Sequence, residues 1–117
     1  MKDPQMTQAQ LSRLFQVKSS PIHGRGVFAK TDLAKGQYLG RYHGPIAKRN
    51  GIYVLWVQDD EGGDWFGISG RNLLRFLNHS NRPNAEFDGP HLYAKKRIKA
   101  GDEVTFHYGE DPGRYAD

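Results

Sequence analysis

The chain is cut into short apolar segments, and this constrains its fold more than any other feature. "GVFAK", "QYLGRY", "IYVLWVQ", "DWFGI", "HLYAK" and "EVTFHY" are β-branched or aromatic, and Gly, Pro, Asn or Asp separates them. Such segments read as short strands. Helical spacing occurs twice. Thr7-Gln-Ala-Gln10 has the form of a capping box, with Leu11, Leu14 and Phe15 following at helical intervals. An alternating strand from Phe15 to Lys18 competes for the end of that helix. "GRNLLRFLN" places Leu73, Leu74, Phe76 and Leu77 on a narrow apolar face. The expectation is a mainly β domain of several small sheets, with short helices and much irregular loop. "LAKGQ" and "IKAGDE" resemble each other, but two copies do not make a repeat architecture.

The length of 117 residues suits one domain, and no linker divides it. There is no cysteine, which excludes disulfides and thiolate zinc clusters and fits a reducing, cytoplasmic compartment. No apolar run approaches ~18 residues, so no membrane span is expected. "MKDPQMTQAQ" lacks the apolar core of a secretory signal. The net charge is +4, but the basic residues are scattered and "KKR" is the only tight cluster. A solubilising surface explains that charge better than attraction to nucleic acid or an acidic partner. His23, His43, His79, His91 and His107 show no helical metal spacing and no accompanying carboxylate cluster, so no metal is expected.

Four stretches carry chemistry. "IHGRGVF" (22–28) is a glycine-rich turn. "RYHG" (41–44) closes a strand on Tyr42. "RFLNHSNRPN" (75–84) sets Asn78, His79, Ser80 and Asn81 beside an apolar turn, where they need hydrogen-bond partners. "AGDEVTFHYGE" (100–110) is a strand ending on Tyr108. Taken singly, each has a plain structural reading: a tight turn, a capped loop, packing aromatics. In this order and spacing they resemble the four signature motifs of the SET-domain protein-lysine methyltransferases. The resemblance covers about residues 15–110. It implies an N-terminal extension over 1–14, a SET domain over 15–110 and a short tail over 111–117. It also implies a SET fold of small sheets with a knot-like C-terminal segment.

The resemblance implies S-adenosylmethionine as cofactor and a protein or peptide lysine as substrate, such as a basic or histone-like protein. By position, His23, Gly24, Arg25 and Gly26 would wrap the methionine part of the cofactor. Arg75, Phe76, Asn78 and His79 would complete its site. Asn78 would hold the amino acid end, and the backbone of Asn78-His79 the adenine. Ser80 and Asn84 would hold the loop in shape. Tyr108 would be the catalytic residue. Tyr42, Phe87 and Phe106 would wall the lysine channel, although core packing alone explains Phe87 as well. A Phe at position 106 goes with addition of more than one methyl group.

The chemistry asks little of a base. Free lysine has a pKa of ~10.4, so at neutral pH it is mostly protonated and cannot attack a methyl carbon. A nearby sulfonium and an apolar channel both favour the neutral amine. What remains is alignment, which the Tyr108 hydroxyl would provide.

The chain departs from the family pattern in places. Asn81 stands where many relatives have a zinc-ligating Cys, and no cysteine-rich flank closes the channel. Tyr115, or the second subunit of a homodimer, would have to do so. His107 replaces a common Asp. Two other readings compete: a small basic β domain that binds nucleic acid, and a catalytically silent SET module that binds peptides. The first does not explain the ordered "NHS…PN" and "TFHY" motifs, and the presence of Tyr108, Asn78 and His79 argues against the second.

Overall fold

The structure is a computed structural model that describes residues 8–51, 53–58 and 64–107. A short helix, α1 (Gln8–Leu14), precedes nine strands: β1 (Phe15–Ser19), β2 (Arg25–Ala29), β3 (Tyr38–Arg41), β4 (Val54–Gln58), β5 (Trp65–Ser69), β6 (Asn78–His79), β7 (Ala85–Asp88), β8 (His91–Ala94) and β9 (Glu103–Phe106). They form three small sheets, as the punctuated sequence predicts. The competition between helix and strand at the N-terminus resolves without a loop. The helix ends at Leu14 and β1 begins at Phe15. Leu11 and Phe15 are both buried, and the Leu14 carbonyl accepts from the Lys30 amide at 2.7 Å.

The first sheet has the order β1-β2-β9-β6. β1 and β2 are an antiparallel hairpin running from Phe15↔Ala29 to Ser19↔Arg25. β9 lies antiparallel to β2 and parallel to β6, which pairs Asn78 with Thr105 and His79 with Phe106. The second sheet, β3-β8-β7, is antiparallel and bulged between Tyr38 and Gly40. β4 and β5 form a separate antiparallel ribbon. Val27, Leu33, Leu39, Ala85, Leu92 and Val104, fully excluded from water, come from both larger sheets and the loops between them. The two look-alike turns meet each other: Leu33 and Ile98 exchange backbone hydrogen bonds of 2.7 and 2.9 Å. Asp32 accepts from the Ala100 amide at 2.9 Å and lies beside Arg97. That backbone hydrogen bond, and then the guanidinium, hold its carboxyl below the usual carboxylate range.

The "GRNLLRFLN" stretch is tighter than an α-helix. Leu73–Phe76 is a 3-10 turn, closed by Arg75 N–H to the Asn72 carbonyl and Leu77 N–H to the Leu74 carbonyl. The cause lies at its C-terminal end. Leu77 is already extended, with ψ 130°, so that Asn78 can enter β6 beside β9. A longer helix would carry Asn78 past its partner strand. The strand β9 lies between β2 and β6, while the segment beyond residue 107, on which the knot-like expectation also depends, lies outside the described residues.

Candidate active site

The loop joining β1 to β2 is the glycine-rich turn. Its N-terminal end is pinned by Ser20. The Ser20 amide donates to the Gly24 carbonyl at 2.8 Å, and its hydroxyl accepts from the Ile22 amide at 3.0 Å. Gly24 takes a φ of +47°, which side-chain-bearing residues rarely adopt. His23, Gly24 and Arg25 are exposed, and Gly26 is buried. Gly26 is glycine for a different reason: a Cβ there would collide with the Glu103 carboxylate and come within 3.1 Å of Asn78 Nδ2. The turn therefore lies directly on two side chains from β9 and β6.

Asn78 is one of those two, and it is buried. Its Nδ2 has four acceptors in reach: Glu103 Oε2 at 2.9 Å, the His23 carbonyl at 3.0 Å, Ser20 Oγ at 3.1 Å and the Arg25 carbonyl at 3.2 Å. The family pattern assigns Asn78 to the ligand. The structure turns its amide nitrogen onto its own chain, binding the glycine turn to β6. His79 is half-buried, with Nε2 at 3.1 Å from Asn81 Oδ1 and its ring 4.6 Å from that of His107. The Ser80 hydroxyl accepts from the Arg82 amide at 3.0 Å, a local turn. Asn84 reaches across to β9. Its Nδ2 donates to the Glu103 carbonyl at 2.8 Å and its Oδ1 accepts from the Thr105 amide at 2.9 Å. One side chain thus stands in for a length of neighbouring strand.

Arg75 and Phe76 lie beside the same turn. The Arg75 guanidinium sits 4.3 Å from the Phe76 ring centroid and donates to the carbonyls of Arg71 and Asn72. The Arg25 guanidinium lies 4.7 Å from the same ring. Guanidinium over an aromatic face is a favourable contact. It draws Arg25, Arg75 and Phe76 into one cluster.

The three residues expected to wall the channel also come together. Phe87 meets Tyr42 edge to face at 5.9 Å and Phe106 edge to face at 5.2 Å. Tyr42 and Phe106 are buried and Phe87 is half-buried. The Tyr42 hydroxyl donates to the Tyr53 carbonyl at 2.7 Å, which fixes the ring. Tyr108 and Tyr115 lie outside the described residues. His107, directly before Tyr108, is exposed. Among the described residues, no group of three or more His, Asp or Glu is arranged to hold a metal ion.

Glu103 and Ser20 are the residues that sequence reasoning missed. The Ser20 hydroxyl donates to Glu103 Oε1 and Oε2 at 2.8 and 2.9 Å, across 83 residues of sequence. For Glu103 the signal was its place in the fourth motif, a carboxylate at the start of an otherwise apolar strand, in "AGDEVTF". It reads as a surface residue until β9 is placed in the middle of a sheet.

With this geometry in place, comparison with known proteins gives the class. The SET domain family matches residues 24–109, and the chain belongs to that family. It is similar to histone-lysine N-methyltransferase CLF of Oryza sativa subsp. japonica, at 31% identity over 119 residues, 81% of this chain and 13% of that protein. It is 28% identical over 124 residues to histone-lysine N-methyltransferase set-1 of Caenorhabditis elegans, covering 84% of this chain and 51% of that protein. The chain therefore spans only a fraction of the length of these relatives. Among solved structures, the methyltransferase domain of human PR domain-containing protein 2 matches with a TM-score of 0.65 and 24% identity. That match covers 85% of this chain and 80% of the other, and it establishes the shared fold.

Proposed function

We propose that the chain is an S-adenosylmethionine-dependent protein-lysine N-methyltransferase. One observation carries this reading. The turn 23–26, the Asn78-His79 pair and the aromatic group Tyr42–Phe87–Phe106 all border β9, the strand that leads to Tyr108. S-adenosylmethionine, general to the family, supplies an electrophilic methyl group on a sulfonium. The residues present fit its zwitterionic end. The carbonyls of His23 and Arg25, with Glu103, hold Asn78 by its Nδ2, which leaves Oδ1 as an acceptor that suits an ammonium. The guanidiniums of Arg25 and Arg75 beside Phe76 suit a carboxylate. His79 would contribute backbone groups at the adenine.

For the substrate, the rings of Tyr42, Phe87 and Phe106 would line the path of a lysine stem and exclude water, favouring the neutral amine. The Tyr108 hydroxyl would orient that amine for in-line attack. Phe106 carries no hydroxyl that could restrain the amine, so transfer should proceed beyond one methyl. Tyr115 or a second copy of the chain would close the channel. The relatives named above act on histone lysines, and a basic, histone-like protein is the substrate class we propose here.

The test uses the full chain and labelled S-adenosylmethionine in a host lysate. Label on a lysine, located by mass spectrometry, is the expected result. S-adenosylhomocysteine should also raise the unfolding temperature by mass action. No thermal shift at millimolar concentration would overturn the reading.

A further inference from the structure

We propose that Glu103 is a positioning residue for the cofactor: it fixes which end of the Asn78 amide is presented to the ligand's ammonium group. The inference rests on the cofactor reading above and adds a residue to it. An asparagine amide has a donor end and an acceptor end of nearly the same shape, and only its surroundings decide which faces where. Around Asn78 that decision is built from acceptors. The Nδ2 end faces a carboxylate oxygen, two backbone carbonyls and a serine oxygen, all within 3.2 Å.

Ser20 could in principle donate and so tolerate a flipped amide, because a hydroxyl proton rotates to suit. Glu103 removes that freedom. Its two oxygens lie 2.8 and 2.9 Å from Ser20 Oγ and claim its single proton. Ser20 is then left to accept, from the Ile22 amide and from Asn78. An ionised carboxylate is itself acceptor-only. A flipped Asn78 would bring Oδ1 against oxygen lone pairs on every side. The carboxylate thus holds Nδ2 inward directly, and again through Ser20. Oδ1, the other end of the same planar group, is the acceptor left for an ammonium. The charge acts over a short range as well, since a buried or half-buried carboxylate is weakly screened.

Glu103→Gln tests this with little change of shape. A glutamine can donate its Nε2–H to a flipped Oδ1 and leaves the Ser20 proton free to do the same, so only the His23 and Arg25 carbonyls still hold Nδ2 inward. Two ligands separate the positioning role from a merely structural one. S-adenosylhomocysteine carries the amino acid end. 5′-Methylthioadenosine keeps the adenosine and thioether but has no ammonium. By calorimetric titration of the full chain, Glu103→Gln should lose about tenfold or more in affinity for S-adenosylhomocysteine. Its affinity for 5′-methylthioadenosine should stay at the wild-type level. KM for the methyl donor should rise while kcat at saturation holds. Glu103→Asp, which keeps an acceptor-only charge, should retain most of the preference for the ammonium-bearing ligand. Equal losses for both ligands in Glu103→Gln, or no loss for either, would overturn the proposal. If Glu103→Gln fails to fold, a wild-type ratio of the two affinities in Glu103→Asp supports it and a collapsed ratio sinks it. A wild-type chain that binds neither ligand would remove the cofactor reading itself.

Discussion

The four-stranded sheet and the β4–β5 ribbon are held together in different ways. In the first, buried and half-buried polar side chains bind distant pieces of chain. Asn84 bonds two backbone groups of β9, and Ser20, Asn78 and Glu103 join three elements. In the ribbon, five consecutive residue pairs form a plain antiparallel ladder between strands close in sequence. It leaves Trp65 at 64% exposure, and Ile46, bridged to Ile68 of β5, stays 65% exposed. A network of side chains admits few residue types at each position, because each needs a specific donor or acceptor. A ladder of backbone groups needs only the alternation of buried and exposed residues. The sheet is where a family signature can be read. The ribbon, in the segment between Gly44 and Gly70, is where sequence can change without disturbing the corner around Asn78.

That contrast can be tested from the largest effect downward. Tyr108→Phe, just beyond β9, should lower methyl transfer roughly a hundredfold by releasing the amine from alignment. Melting temperature and S-adenosylhomocysteine binding should hold, and a radiometric assay beside a thermal scan separates the two. Asn84→Ala removes both hydrogen bonds to β9 and leaves the buried Thr105 amide unpaired. A loss of about 2–4 kcal/mol in urea denaturation is expected; under 1 kcal/mol would mean that the network matters less than the ladder. Gly44→Ala would drive a Cβ into the Ser69 backbone carbonyl, at the end of the ribbon, which cannot swing aside. The expected destabilisation is about 1–3 kcal/mol. Gly26→Ala meets the Glu103 side chain instead, so it should destabilise less than Gly44→Ala but weaken S-adenosylhomocysteine more. A reversed order would break the distinction between the regions. Trp65→Ser, on the exposed face of the ribbon, should change stability by no more than about 0.5 kcal/mol.

Much of this was legible in sequence, for reasons that differ by element. The six segments read as strands carry β-branched or aromatic runs bounded by turn residues, and each became a strand. β7 escaped because "AEFD" is only four residues long and has a single large apolar residue, too little for its alternation to stand out. β6 is two residues long and parallel to a strand about 25 residues further on, so no local pattern announces it. The helix expected at Leu73–Leu77 is a 3-10 turn because its last residue must be extended to feed β6. At the site, Tyr42, Phe87 and Phe106 are named by the family resemblance, and the fold brings their rings together. The pairing of Glu103 with Ser20 was invisible because it is a contact across 83 residues. An acidic residue next to Asp102 looks like solvent-facing charge until the topology is known.

The place of β9 also governs when the molecule can become competent. A chain ending before it, at residue 98, would hold the glycine turn, Asn78, Tyr42 and Phe87. It would lack the strand that separates β2 from β6, the partner of Asn84, the carboxylate under Gly26 and the ring that meets Phe87. Closing these contacts means joining ends tens of residues apart before any reward is gained, so folding is expected to be slow for so small a chain. Ligand affinity and native structure should therefore appear together in a refolding experiment, in a single kinetic phase, with no earlier species able to bind.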